Sequence, residues 1–342
     1  MVEYDVVIIG AGPAGLSCAI ELQNSDKKIL LVEKNKEIGP KSCAGGLTTK
    51  IKDFGIPLDI AEILFSEVLI SVSEKTLTVS NERIPFVGTI DRGKLGKFLL
   101  KKLSDKVTVL RGCEVSQVGD NLVVAGGKKI KYKYLVGADG SNSKVRKFLG
   151  LKNNKFLMAI QYLLPANYKN LEICFDTNLF SSGYGWIFPH KGYTSVGCCQ
   201  DVRSSRQSAL RKGFEQWLSD KQIDVKDEKL QGWTISFDYQ GFEFGNKFLV
   251  GDAGGFASGL TGEGIYFGLI SGRDVARKII DPNYKCEEIL EILKIKRRHE
   301  NTLAITSFFI GVLKSCSNKF FKSLLGFAKI RWISKRLIKY FG

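Results

Sequence analysis

The chain of 342 residues is poor in metal-holding residues. It has two histidines, His190 and His299, and eight cysteines at 18, 43, 113, 174, 198, 199, 286 and 316 with no Cys-x-x-Cys pair. That spacing excludes the common zinc sites, so no metal is expected. It fits no disulfide framework either, which points to free thiols in a reducing compartment, and the cytoplasm is the expected location. Long apolar runs are missing. The longest, "LAITSFFIGVL" at 303–313, is too short to span a bilayer as a helix. No signal peptide is expected, because residues 5–10 already read as a strand entering a glycine loop. Internal repeats and low-complexity tracts are absent too.

Acidic residues are scarce at one end. The net charge is +16, but 294–342 hold twelve Lys/Arg against one acid, Glu300, for +11, leaving +5 on the first 293 residues. The body is nearly balanced and the tail basic, which suits an anionic membrane surface or an acidic partner. No nucleic-acid-binding module is recognisable, so nucleic acid is not an expected partner. In "KFFKSLLGFAKIRWISKRLIKYFG" (319–342) aromatic and aliphatic residues alternate with cations. On a helix these separate into two faces, a membrane-surface pattern at the inner leaflet. A packed helix with a solvated basic face fits the same letters, and both readings stand open. With 44% hydrophobic residues the chain is an ordinary folded protein with room for two domains.

What is present begins at residue 4. "YDVVIIGAGPAGLSCAIELQ" reads as a buried strand, then Gly10-x-Gly12-x-x-Gly15, then a helix, and "KILLVEK" is a second strand ending at Glu33. Gly10 allows the tight turn, Gly12 lets a pyrophosphate approach, and Gly15 lets helix and strand pack closely. The helix N-terminus then faces the phosphates. Glu33 stands where an acid accepts from ribose hydroxyls, and favours FAD or NAD over NADP. No second unit of this kind occurs, so a nicotinamide donor would bind without a Rossmann domain of its own.

Two later segments decide between FAD and NAD. "KYLVGADGSNSKVRKFLG" (133–150) runs strand, Asp139-Gly140, helix, and "KFLVGDAGGFASGLTGEGIYFGLISGRDVARKI" (247–279) runs strand, Gly251-Asp252, glycine-rich loop, long helix. With the first motif, these resemble the flavoprotein group that contains p-hydroxybenzoate hydroxylase and the geranylgeranyl reductases. The resemblance implies FAD, with Asp252 on the ribityl chain, Asp139 bracing the pyrophosphate region and Arg92 near the cofactor. A helix starting near 262–265 would aim its amides at the flavin's pyrimidine edge.

The segment Lys41-Ser42-Cys43-Ala44-Gly45-Gly46 and the strand "YGWIFP" (184–189) narrow the resemblance to the geranylgeranyl reductase family, most like its short bacterial CbrA-like members. It implies catalytic roles for Cys43, Tyr184 and Trp186. The cofactor-binding set it implies is Gly10, Gly12, Pro13, Ala14, Gly15, Glu33, Lys34, Cys43, Ala44, Gly45, Arg92, Asp139, Gly251, Asp252, Gly262, Gly264 and Ile265. Two departures stand out: Ala44 replaces a usual glycine, and Ser181 stands where proline is frequent. A thiol at 43 suits proton delivery beside a flavin, and a small residue packing a turn suits the same position. Tyr184, Trp186 and Phe188 alternate onto one strand face, as an aromatic wall or an ordinary apolar face. His190 reads as a surface or structural residue rather than an acid.

The expected fold is α/β. A Rossmann-like FAD-binding domain (1–65, 89–150, 243–285) interleaves with an antiparallel-sheet substrate domain (66–88, 151–242), and a basic helical region follows (286–342). The expected activity is reduction of carbon–carbon double bonds of an isoprenoid lipid by reduced flavin, with electrons from NAD(P)H or another reductant. A flavin monooxygenase on the same fold is the first alternative, and a membrane-associated flavin binder without turnover the second.

Overall fold

The computed structural model describes residues 2–312 except 73–74, 82–83 and 204–206, so the amphipathic stretch 319–342 lies outside the described residues. The chain forms two compact units. The first comprises 1–41, 92–156 and 235–299, the second 42–91 and 157–234 with the described residues after 299.

Besides short shifts at 89–91 and 151–156, these boundaries differ from the sequence reading in three longer segments. Segment 42–65, read as cofactor domain, belongs to the second unit, because its strands Gly46–Thr48 and Ile63–Phe65 both pair with Val87–Thr89. Residues 235–242, read as substrate domain, belong to the first: the Phe237 amide donates to the Lys155 carbonyl, and Arg146 donates to the Asp238 carbonyl at 2.7 Å. Residues 286–299, read as a separate tail, also belong to the first unit. On helix Glu287–Val312, Lys296 and His299 are buried. Lys296 Nζ donates to the carbonyls of Phe237 and Ala257, and His299 Nδ1 lies 2.8 Å from Ser258 Oγ. Burial pushes the His299 pKa down to about 4.

In the first unit five parallel strands lie in the order Val107–Leu110, Ile29–Val32, Val2–Ile9, Lys128–Gly137, Lys247–Leu249. Their centres read as unbroken apolar runs, as parallel strands do when both faces are covered. Val115–Val118, Leu122–Ala125 and Glu243–Phe244 add antiparallel neighbours. From Val2–Ile9 the chain goes first to the strand on one side and later to the strand on the other. That reversal is the topological switch point at which open α/β sheets bind ligands, outside the carboxyl ends of the strands.

Helix Pro13–Leu22 follows the first strand and packs on helix Ile265–Ile280. Their backbones touch: a Cβ on Gly272 would overlap the Ala14 carbonyl oxygen. Ser17 Oγ donates to the Leu269 carbonyl at 2.7 Å across the same contact.

The second unit holds a seven-stranded sheet in the order Gln231–Ser236, Phe156–Leu164, Thr194–Asp201, Tyr184–Pro189, Glu172–Phe175, Glu67–Val72, Lys75–Ser80. From Phe156–Leu164 to Lys75–Ser80 the pairings are antiparallel apart from the parallel pair Glu172–Phe175 with Glu67–Val72. Helix Gln207–Asp220 packs Leu210, Phe214 and Trp217 against Ile187 and Cys198. No described helix is long and apolar enough to cross a membrane.

Gly268 and Gly272 lie one turn apart on the same helix, yet a Cβ at Gly268 meets Ala14 Cβ at an ordinary 3.5 Å. Gly272→Ala is therefore expected to destabilise the protein by about 1–3 kcal/mol through overpacking. Gly268→Ala should be neutral or stabilising by up to about 1 kcal/mol through helix propensity. Denaturant melts of both variants check the contrast.

Candidate active site

Four adjacent parallel strands of the first unit deliver the expected cofactor residues. Gly10, Glu33, Asp139 and the pair Gly251-Asp252 each come just after a carboxyl end, in register: Ile9 lies beside Val32 and Gly137, and Gly137 beside Leu249. Gly10 needs its φ of 103° and its missing side chain, since a Cβ would strike the backbone of Ala138. Gly15 is pressed against the Gly10 carbonyl. Gly12 differs from both. Its φ is −73°, and a Cβ there would meet nothing within 4 Å. No internal contact requires a glycine at 12, so the requirement comes from what approaches from outside. Helix Pro13–Leu22 begins there with Pro13 in its first turn, no side-chain cap and no acid in that turn, leaving N–H groups for an anion.

Around this cradle the polar groups are arranged for a nucleotide. The Glu33 carboxylate accepts from the amides of Ala11 at 2.8 Å and Asn35 at 2.9 Å, which fixes its orientation and leaves lone pairs for further donors. Lys34 beside it is exposed. Asp252 Oδ2 accepts from Lys41 Nζ at 3.2 Å and Ser141 Oγ at 3.3 Å. Arg92 starts helix Arg92–Leu100, and its Nε is buried without a hydrogen-bond partner, a group that awaits an acceptor. The Asp139 carboxylate takes the Lys144 amide at 2.6 Å at the start of helix Lys144–Phe148. Burial raises its pKa, against the pull of those amides. The uncapped Gly12 turn, the orphaned Arg92 and the oriented Glu33 fit a bound FAD.

Helix Ile265–Ile280 starts at Gly264 without a side-chain cap, as the loop pattern predicts, and Gly262 has a φ of 68°. Other glycines of that loop serve the fold instead. Gly254 is packed by Phe256, Gly259 by Phe237, and Gly255 by the Asp238 backbone.

Cys43, Ala44 and Gly45, expected among the cofactor residues, belong to the second unit together with Tyr184 and Trp186. Gly45 has a φ of 77°, and its amide lies 3.4 Å from Cys43 Sγ. Ala44 is not among the positive-φ residues, so its side chain is tolerated where the family usually has glycine. Ser181 has a φ of 54°, which proline cannot adopt, so the chain path departs from a proline-bearing relative there. Tyr184, Trp186 and Phe188 do share one strand face, with ring centroids 6.1 and 6.4 Å apart, and Trp233 extends the row at 6.1 Å from Trp186. Trp186 is only 2% exposed, and its indole N–H donates to Ser195 Oγ at 2.9 Å. Gly197 opposite it leaves room for the ring. Cys198 and Cys199 are buried, and burial pushes the Cys199 thiol up to about 12, which makes it inert.

Around Cys43, Gln161, Ser195 and Glu62 escape sequence reading, and His190 is misplaced by it. Gln161 Nε2 donates to the Cys43 carbonyl at 3.4 Å and to Gln231 Oε1 at 3.1 Å, and Ser195 Oγ donates to Gln161 Oε1 at 2.8 Å. His190 is 3% exposed, which rules out the surface reading. Its Nε2 lies 3.0 Å from the Ala44 carbonyl oxygen and its Nδ1 2.6 Å from Glu62 Oε2. Tyr193 stacks on the ring at 4.4 Å. Glu62 and Gln161 lie far from Cys43 in sequence and carry no local pattern.

The family described as pyridine nucleotide-disulphide oxidoreductase matches residues 4–172. The chain is 32% identical to a digeranylgeranylglycerophospholipid reductase of Methanocaldococcus jannaschii, over 84% of this chain and 80% of that protein. It is 25% identical to a geranylgeranyl diphosphate reductase of Rhodobacter capsulatus, over 94% and 85%. Among solved structures, a geranylgeranyl bacteriochlorophyll reductase-like protein from Thermoplasma acidophilum shares the fold with a TM-score of 0.76 at 19% identity, covering both chains fully. The p-nitrophenol 4-monooxygenase of Pseudomonas putida shares it with a TM-score of 0.75 at 15% identity, over 100% and 98%. On the strength of the M. jannaschii match, the chain belongs to the geranylgeranyl reductase family of FAD-dependent oxidoreductases.

Proposed function

We propose that this protein reduces carbon–carbon double bonds in the geranylgeranyl chains of an isoprenoid lipid. The observation that carries the reading is the aromatic strand face 184–188, built in the same unit as the Cys43 loop in a chain related over most of its length to isoprenoid reductases. An apolar face of tilted, neighbouring rings suits a polyprenyl chain and excludes water from it.

Bound and reduced, FAD supplies the hydride for one alkene carbon. The chain's own groups do the rest. Amides of the Gly10–Gly15 turn hold the pyrophosphate, Glu33 accepts from ribose hydroxyls, and Asp252 accepts from the ribityl chain. The N-terminus of helix Ile265–Ile280 opposes negative charge on the pyrimidine edge. Arg92 Nε donates to an acceptor of the cofactor. The Cys43 thiol or the Tyr184 hydroxyl gives the proton to the second alkene carbon. Both are partly exposed, whereas the Trp186 N–H is committed to Ser195, so Trp186 shapes the wall. Electrons come from a transiently bound nicotinamide or another carrier. The basic segment 294–342 is the part assigned to an anionic membrane surface, where such a lipid resides.

Two experiments follow. Gly12→Val adds a side chain in open space at an unstrained φ, so the variant should unfold within about 0.5 kcal/mol of the parent. It should nonetheless be purified without flavin absorbance. In the second, chemically reduced protein is incubated without oxygen with digeranylgeranyl phospholipid, and the lipid is weighed by mass spectrometry. The expected result is a gain of hydrogen, with the rate in Cys43→Ser down about 100-fold, the usual worth of a positioned acid. A product that gains oxygen in air, with no change in its absence, would install a monooxygenase in its place.

A further inference from the structure

We infer that the pair formed by half-buried Glu62 and buried His190 is the positioning device for the Cys43 loop. The pair and the loop are brought together by the small sheet of the second unit. Strand Val87–Thr89 pairs on one side with Gly46–Thr48, which the Cys43 loop enters, and on the other with Ile63–Phe65, which begins directly after Glu62. The Glu62 amide donates to the Thr89 carbonyl at 2.7 Å, and Thr89 Oγ1 donates to the Pro189 carbonyl at 2.6 Å, next to His190. One residue, Thr89, thus ties the glutamate and the histidine to the loop's own strand.

The contacts at the loop are specific. A Cβ on Gly45 would lie 2.5 Å from His190 Cε1, so the loop is seated directly on the imidazole. The Ala44 carbonyl faces His190 Nε2, and the preceding Cys43 carbonyl faces Gln161 Nε2. Two consecutive carbonyls are therefore held by buried side chains, which fixes the backbone on the C-terminal side of the Cys43 thiol. Both ring nitrogens of His190 have an oxygen partner, Nε2 the Ala44 carbonyl and Nδ1 the Glu62 carboxylate, so the ring's orientation is fixed from both sides. Tyr193 stacks on the ring and completes its enclosure. Withdrawing a carboxylate–histidine pair from water is costly, and here the ring nitrogen turned away from Glu62 faces the loop carbonyl.

The catalytic consequence rests on the reductase reading, while the placement of Cys43 does not. The test follows alkylation of Cys43 by iodoacetamide, measured by peptide mass spectrometry relative to Cys113. Cys113 is a partly exposed thiol of the first unit and reports general loosening of the protein. His190→Ala and Glu62→Ala should change the Cys43-to-Cys113 ratio by about fivefold or more, the effect of losing one hydrogen bond. Glu62→Gln should stay within about twofold, because an amide N–H can meet Nδ1 while Nε2–H still reaches Ala44. In lipid reduction, both alanine variants should lower kcat with KM little changed, since the loop and not the lipid wall is disturbed. Glu62→Ala, one step removed from the loop, decides the matter if His190→Ala does not fold. An unchanged ratio in the alanine variants, or a Glu62→Gln as damaging as Glu62→Ala, would overturn the inference. If the parent protein reduces no lipid, the reductase reading fails, and the alkylation ratios still decide the positioning role.

Discussion

The first unit depends on one contact, the backbone-to-backbone approach of helix Pro13–Leu22 and helix Ile265–Ile280 at Ala14 and Gly272. The two helices lie far apart along the chain, yet both begin at glycines that follow parallel strands of one sheet, Val2–Ile9 and Lys247–Leu249, which flank Lys128–Gly137. Any side chain at 272 would push one of them off. Because they close on each other, two uncapped helix N-termini are carried by one sheet edge, along with Glu33, Asp139 and Asp252. A ligand that spans a pyrophosphate and an electron-accepting ring needs this arrangement, since each end calls for fixed amides that need not reorganise as charge develops.

The second unit supplies what a cofactor domain lacks, an apolar face and a thiol with a fixed backbone. Strand Tyr184–Pro189 makes both possible. Its alternate residues form the aromatic row, the Trp186 N–H starts the hydrogen-bond chain through Ser195 and Gln161 to the Cys43 carbonyl, and the residue just past its end is His190. The glycine at 197 and the small residues at 195 and 199 on the partner strand are the counterpart of those large rings.

Much of this was legible in the sequence because it is local. The strand–Gly-x-Gly-x-x-Gly–helix order, the acid at Glu33 and the later Gly-Asp turn state their geometry within a few residues, and "YGWIFP" states its own face by alternation. The boundary at 41/42 was not legible, since nothing in composition changes there, and only the pairing of 46–48 with 87–89 reveals it. Glycines 254, 255 and 259 look alike with 262 and 264 in sequence and differ only in what packs on them. His190 looked bland because its meaning is carried by Glu62 and Ala44, far away along the chain. Lys296 and His299 read as part of a basic amphipathic tail, and their burial against the loop at 257–258 inverts that expectation.

The decisive step in the proposed function is the passage of electrons from the flavin to a lipid double bond. Stopped-flow mixing of photoreduced protein with digeranylgeranyl phospholipid, in the absence of oxygen, tests it directly through the flavin's own absorbance. The account predicts reoxidation at a rate that rises with lipid concentration, with one double bond lost for each flavin reoxidised. A flavin that stays reduced until air is admitted would contradict it.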